Sequence, residues 1–295
     1  MGKEGGRRVG VLGATSLVGE ALLPHLASAG WQVTAFSRRA VSLQEESIEW
    51  RQLSLSNELS TSELIPFWIC VAPIWTLPDH FKLIEASGGR RLVVVSSTSR
   101  FTKTDSIDHE EQETAARLVQ AEAAVEQWAK ARQMEWVILR PTLIYGLGKD
   151  KNICEIARFI GRFGFFPLFG AGKGLRQPIH AQDVAAACQA ALTVQLPDNP
   201  AYNISGGETL SYREMVARVF EALGRRQRFV IIPFWAFRLA MFVMRRIPRY
   251  RHWSTAMALR MNQNLVFDHE KAAQNLPIDF KKFVLEKRDL PPCGK

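Results

Sequence analysis

Gly10, Gly13, Ser16 and Gly19 fall close together near the start of the chain. They follow the β-branched run 8–12 and precede an apolar, helix-like stretch that begins near Leu17. Glycine at a strand-to-helix junction permits a tight turn and lets a ligand approach the backbone, and the first turn of a helix offers amide groups with no acceptor of their own. The chemistry this suits is the cradling of a dinucleotide pyrophosphate, with contacts expected at Gly13, Thr15, Ser16, Leu17, Val18 and Gly19. Ser16 stands where the commonest G-x-x-G-x-x-G spacing has its middle glycine. Its hydroxyl is either an extra donor to phosphate or an obstacle to it.

The end of the next strand-like run, 32–36, bears on which dinucleotide is bound. A carboxylate about 20 residues beyond the glycines suits the free ribose 2′-hydroxyl of NAD(H), whereas an arginine there accommodates the 2′-phosphate of NADP(H). The chain reads Ser37-Arg38-Arg39, with no acidic residue between Glu20 and Glu45. NADP(H) is favoured over NAD(H), with Ser37 and Arg38 as contacts; the alternative is a solvated basic turn.

The elements that must position these residues alternate. Runs 8–12, 32–36, 67–72, 91–96 and 136–140 read as strands, and helical patterns lie between several of them. The clearest helix spans 110–133, where Ala, Leu, Val and Trp recur at helical spacing. Such alternation predicts an α/β fold, a Rossmann-type doubly wound parallel sheet covered on both faces. Residues 1–148 form the expected dinucleotide-binding domain. Residues 149–295 form a smaller mixed C-terminal substrate region, with segments at about 176–205, including an Ala-rich helix near Asp183 and a strand at 201–205, returning to the sheet.

Composition limits the other classes. With 295 residues, 47% hydrophobic and 23% charged, the chain can bury a large core and is unlike disordered or fibrous sequences. Cys70, Cys154, Cys188 and Cys293 are scattered without metal-ligand spacing, so no metal site is expected, and no secretory segment is read at the start; a cytoplasmic setting follows. The net charge of +9 favours anionic partners, but the basic residues are dispersed doublets without a finger, helix-turn-helix or RNP pattern, so nucleic acid is not expected. Segment 229–244 is strongly apolar and flanked by Arg225, Arg226, Arg228, Arg245, Arg246, Arg249 and Arg251. It is too short, and too interrupted by Pro233 and Arg238, for a spanning helix. The alternatives are a peripheral membrane or protein-complex contact through 229–251, anchored by arginines and Trp235, or a helix packed on the core.

Taken together, the glycine loop, Val93-Val-Val-Ser96-Ser97-Thr98-Ser99, Leu139-Arg140-Pro141-Thr-Leu-Ile-Tyr145-Gly146, and Gly172-Lys-Gly174-Leu-Arg176-Gln-Pro-Ile-His180-Ala-Gln-Asp183 resemble the extended short-chain dehydrogenase/reductase superfamily, in particular its NAD-dependent epimerase/dehydratase branch acting on nucleoside-diphosphate sugars. The resemblance implies a Ser/Thr at Thr98 that bonds the reacting oxygen, and further cofactor contacts at Ala72, Pro73, Ser96 and Pro141. It also implies an arginine at Arg176 for the substrate diphosphate. His180 and Asp183 match a structural strand-to-helix signature, with Asp183 expected as the helix N-cap.

The same family carries a Tyr-x-x-x-Lys pair on the helix after Thr98, where the lysine lowers the phenol pKa and the tyrosine moves the proton. Here Leu118 and Glu122 stand at those places, and no tyrosine lies between Thr98 and Arg140. Tyr145-Gly-Leu-Gly-Lys149 matches as a string only, since two glycines after a strand end argue against a helix. Thr98, Tyr145 and Glu122 are the candidate catalytic residues, and Tyr145 and Arg176 the candidate substrate contacts. Two functions compete: an NADP(H)-dependent oxidoreductase or epimerase-like enzyme acting on a nucleotide-sugar or small carbonyl compound with altered acid/base groups, or a non-catalytic dinucleotide-binding accessory, scaffold or redox-sensing subunit.

Overall fold

A computed structural model describes residues 7–41, 46–53, 64–102, 108–195, 200–233 and 259–292. The first strand, β1 (Arg8–Leu12), is followed by α1 (Leu17–Ser28), β2 (Gln32–Ser37), β3 (Ile48–Gln52) and β4 (Phe67–Cys70). A 3₁₀ turn (Ile74–His80) and α2 (Phe81–Ala86) lead to β5 (Arg91–Val95), α3 (Ser99–Thr102), α4 (His109–Ala131) and β6 (Glu135–Pro141). Then come β7 (Ile144–Tyr145), α5 (Ile153–Phe163), β8 (Phe166–Phe169), β9 (Leu175–Arg176), β10 (Ile179–His180), α6 (Ala181–Thr193) and β11 (Ala201–Ile204). β12 (Leu210–Ser211), α7 (Tyr212–Ala222), β13 (Phe229–Ile232), α8 (Glu270–Asn275) and a 3₁₀ turn (Lys287–Asp289) complete the described chain.

Seven strands form one parallel sheet in the order β11-β6-β5-β4-β1-β2-β3. This is the expected Rossmann-type α/β fold, and its strand order reverses between β1 and β4. Side chains alternate across it. Val9, Val11, Ile69, Val93 and Val137 face α1 and α6, whereas Leu12, Trp68, Cys70, Val94 and Ile138 face α2 and α4. Burial on both faces explains why β1 and β5 read as unbroken apolar runs. Strand β3 was not foreseen: in Ile48-Glu-Trp-Arg-Gln only Ile48 is fully buried, as suits a one-sided edge strand.

A second core lies beyond the sheet, where Ile156, Phe159 and Ile160 of α5, Phe166 and Phe169 of β8, Met215, Val219 and Phe220 of α7, and Met261 and Phe283 pack together. Helix α6 and strand β11 instead belong to the sheet layer, β11 pairing with β6 and α6 packing beside α1. The Ala-rich helix starts differently from the expectation. His180, not Asp183, is the N-cap, its Nδ1 accepting the Gln182 N–H at 3.1 Å. Asp183 sits in the first turn and accepts the Lys281 N–H at 3.2 Å, tying the C-terminal segment to the sheet.

Of the apolar segment 229–244, residues Phe229–Ile232 form β13, a strand parallel to β8 and not part of a helix. Positions 234–244 lie outside the described residues, as do Tyr250 and Cys293. Among the described residues, no helix is long and apolar enough to cross a membrane.

Candidate functional site

The glycine loop leaves β1 at the point where the sheet reverses, at the carboxyl ends of the strands, the position where open α/β sheets bind ligands. Gly13 has φ +83, and a Cβ built on it would stand 2.4 Å from the Ala72 backbone nitrogen at the end of β4. Gly19 is equally confined, with 2.4 Å to the Ala14 carbonyl oxygen. A side chain at Gly13 would push the loop off the end of β4, and one at Gly19 would push the start of α1 off the loop.

Ser16 resolves the question its sequence position raised. It is the N-cap of α1, its Oγ accepting the Gly19 N–H at 3.1 Å, while its own N–H donates to the Gly13 carbonyl at 2.9 Å. The serine therefore shapes the turn. The Leu17 and Val18 amides, in the first turn of α1, are groups a helix leaves without an internal acceptor, and their dipoles favour an anion. The residues present fit a bound pyrophosphate.

At the end of β2, Ser37 is buried and its Oγ accepts the Arg39 N–H at 3.2 Å, while the Gln52 amide donates to the Arg38 carbonyl at 3.3 Å. Arg38 and Arg39 project into solvent beside a cleft lined by Ser37, Arg39, Trp50, Arg51 and Gln52. Arg51 is forked onto Glu49 at 2.7 and 3.1 Å, so much of its charge is met on β3.

The acid/base candidates come from the end of β5, from α4 and from β7. Glu122, on the buried face of α4, is only 4% exposed. Its Oε1 accepts the Ser96 hydroxyl at 2.5 Å, and its Oε2 accepts Arg140 Nε at 3.1 Å and Nη2 at 2.6 Å, with Arg100 Nη1 as a further donor. A carboxylate so held is saturated with donors and has no lone pair to spare for a substrate proton. Ser96 is likewise committed to Glu122 and turned away from a cofactor contact through its hydroxyl hydrogen. Leu118, one turn earlier, is buried in the α4 face of the core.

Thr98 is buried at the end of β5, and its hydroxyl and N–H both donate to the Pro141 carbonyl at 3.1 Å. Its oxygen keeps accepting capacity, but its hydrogen is engaged. Tyr145 lies in the second core, edge-on to His180 and Phe283, and donates to the Val284 carbonyl at 3.2 Å. Burial pushes its phenol well above the ordinary value, the opposite of what a proton donor near neutrality needs. The loop after it is no helix: Gly146, Leu147 and Gly148 all have positive φ, at +123, +54 and +64. Lys149 turns away to Glu20 of α1, with Nζ–O distances of 2.5 and 2.8 Å.

Arg176 is 5% exposed, and its guanidinium donates to the Leu175 and Gln263 carbonyls at 2.7 Å and to the Arg260 carbonyl. It stacks over Tyr212, 5.6 Å from the ring centroid, and burial pulls its pKa down to about 10. Segment 259–267 thus occupies the donors expected to face a substrate diphosphate. The same segment reaches the α4 end of the cleft, where Arg260 pairs with Glu111 and Phe267 packs 6.1 Å from Phe101.

Residues 80–205 match the model of the NAD dependent epimerase/dehydratase family. The match covers 126 of the 295 residues, less than half of the chain. The matched span runs from the 3₁₀ turn to β11 and includes Thr98, Glu122, Tyr145 and Arg176. A 120-residue stretch is 29% identical to the mitochondrial NADH dehydrogenase [ubiquinone] 1 alpha subcomplex subunit 9 of Arabidopsis thaliana, covering 40% of this chain and 30% of that protein. Another of 120 residues is 25% identical to UDP-glucose 4-epimerase of Vibrio cholerae, covering 41% and 37%. These matches span about a third of each curated relative's length. Over 96% of this chain and 95% of the other, the fold matches that of MoeE5 in complex with UDP-glucuronic acid and NAD, with TM-score 0.67 and 22% identity. Members of this family depend on NAD, and the neighbouring folds are those of nucleotide-sugar epimerases and dehydratases.

The sequence reading missed Arg100 and Arg140 as partners of Glu122. A signal was present: an acid on the buried side of an amphipathic helix demands a cation, and Arg140 ends the adjacent strand while Arg100 follows Thr98. It also missed segment 259–267, whose approach to Arg176 rests on contacts more than 80 residues apart in the chain.

Proposed function

We propose that this protein belongs with the epimerase/dehydratase family and binds a nicotinamide dinucleotide in the crevice between β1 and β4, with NADP(H) favoured. It holds the dinucleotide as a structural or redox-sensing ligand of an accessory protein, without nucleotide-sugar turnover through the family's proton relay. The observation that carries this reading is Glu122, which stands at the relay's lysine position and is held by Arg100, Arg140 and Ser96. A lysine there would bring a cation beside the phenol, whereas this network spends its charges on one another.

In this reading the Leu17 and Val18 amides and the α1 dipole hold the pyrophosphate, with Gly13 and Gly19 permitting its approach. Ala72, Pro73 and Pro141 border the crevice at the ends of β4 and β6. Arg38 and Arg39 supply charge for a 2′-phosphate, which supports NADP(H) although the solved neighbours hold NAD. A bound nicotinamide would supply hydride chemistry. The chain's own groups near it, Thr98 and Ser96, have their hydroxyl hydrogens engaged by Pro141 and Glu122. The similarity to a subunit of a mitochondrial NADH dehydrogenase [ubiquinone] supports an accessory role.

The test is titration of the full chain with NADPH and NADH, followed by nicotinamide fluorescence, then addition of UDP-glucose and UDP-glucuronic acid. Binding with NADPH preferred and no cofactor oxidation or sugar interconversion is expected. Substrate-dependent turnover would restore the enzyme reading, and no binding of either dinucleotide would defeat the crevice assignment.

A further inference from the structure

Exposed apolar side chains and arginines come together where the loop before β13 meets the end of α5. The end of α5 presents Arg162 and Phe163, the guanidinium 5.4 Å from the ring centroid. Arg225, Arg226 and Arg228 lie exposed just before β13, and Arg225 donates to the Ile160 carbonyl at 3.1 Å, which fixes this loop against the end of α5. Successive side chains of a strand point to opposite faces; Phe229 and Ile232 pack against the second core, while Val230, 46% exposed, and Ile231, 57% exposed, leave an apolar side chain open on each face of β13. Among the described residues β13 pairs on one side only, with β8.

The sequence on either side of β13 is one-sided in charge: between Glu221 and Asp268 it has no acidic residue and no lysine, but nine arginines, Arg225, Arg226, Arg228, Arg238, Arg245, Arg246, Arg249, Arg251 and Arg260, of which Arg260 pairs with Glu111 on α4. Solvated basic faces ordinarily mix both signs and use lysine freely. Arginine alone, with its fork matched to phosphate oxygens and set among aliphatic and phenyl groups, is complementary to a phosphate layer over hydrocarbon.

We propose that the surface formed by Arg162, Phe163, Arg226, Arg228, Val230 and Ile231 docks on an anionic lipid bilayer, the arginines meeting headgroup phosphates and the apolar residues entering the interface. Nucleic acid fits less well, since Val230 and Ile231 offer neither stacking faces nor hydrogen bonds to bases. This inference is independent of the cofactor reading.

The full chain would be floated with vesicles of phosphatidylcholine alone and of phosphatidylcholine with phosphatidylglycerol. Partition onto the anionic vesicles only, weakening with salt, is expected. At about fivefold per basic residue, corresponding to about 1 kcal/mol each, the Arg226→Gln/Arg228→Gln variant should bind roughly 30-fold less. Ile231→Asp should lower partition at every salt concentration. Both substitutions are at exposed positions and should leave the melting temperature within about 1 °C of the parent. Equal partition onto both vesicle types, or variants that bind like the parent, would overturn the proposal. So would retention on an acidic polypeptide resin without vesicle binding, which would assign the surface to a protein partner.

Discussion

Replacing Glu122 by glutamine removes one charge from the middle of the relay-position network while keeping its size. The acid is 4% exposed, and the Arg140 and Arg100 side chains that converge on it are 17% and 21% exposed. Without the carboxylate, two guanidiniums face each other in a nearly dry site, and an amide can donate to neither. Breaking a buried pair by removing one partner costs about 3–5 kcal/mol; because each arginine keeps roughly a fifth of its surface in water, the lower end, about 3 kcal/mol, is expected. An unfolding entropy near 2.1 cal/mol/K per residue gives roughly 0.6 kcal/mol/K for a chain of this length, so the melting temperature should fall by about 5 °C. Differential scanning calorimetry measures this, and a double-mutant cycle with Arg140→Gln isolates the pair from other effects of substitution. A companion variant, Leu118→Tyr with Glu122→Lys, restores the family's string but sets a third cation beside Arg100 and Arg140. It should be less stable still and turn over no UDP-sugar. A fall of under about 1 °C for Glu122→Gln, or turnover in the companion, would refute the reasoning that this network is buried, coupled and incompatible with the relay.

Gly13→Ala places a methyl where the Ala72 backbone stands and strains a positive φ, so dinucleotide affinity should drop at least tenfold in fluorescence titration while the fold persists by circular dichroism. Arg38→Ala and Arg39→Ala each remove a candidate charged donor to a 2′-phosphate; at about 1.5–3 kcal/mol for such a bond, NADPH affinity should fall by roughly 10- to 150-fold for the residue that makes it, with NADH affinity unchanged. Asp289 gives a pH prediction. Burial pushes its carboxyl up, but the bond from His180 and those from the Glu286 and Leu147 amides outweigh it and leave the pKa below the usual value. A depressed folded pKa means that its stabilisation is complete above about pH 5 and disappears as the pH falls below about 4, through the folded value. In urea titrations the stability gap between the parent and Asp289→Asn should therefore be constant near neutrality and close in acid; a gap that widens in acid would contradict the sign.

The parallel sheet, its order of strands and helices, and the glycine loop were legible in the sequence because they depend on local patterns: apolar runs for strands buried on both faces, a 3.6-residue period for α4, and glycines at a turn that has no room for a Cβ. Strand β3 escaped because a charged edge strand buries only one side and leaves no such run. That no tyrosine lies between Thr98 and Arg140 to begin a Tyr-x-x-x-Lys pair on α4 was also plain, since it needs only the positions of four tyrosines. Tertiary structure alone decided what stands in its place. Whether Glu122 is a free base or a tethered anion depends on Arg100 and Arg140, which approach it from two other elements, and that choice is made by packing. Arg176 follows the same logic: its motif matches a phosphate-binding arginine, but segment 259–267 offers it two backbone carbonyls beside that of Leu175, and a buried guanidinium takes the acceptors the fold brings to it. Residue types and spacing fix which groups are available for chemistry, while long-range contacts fix which of them are already bound to one another.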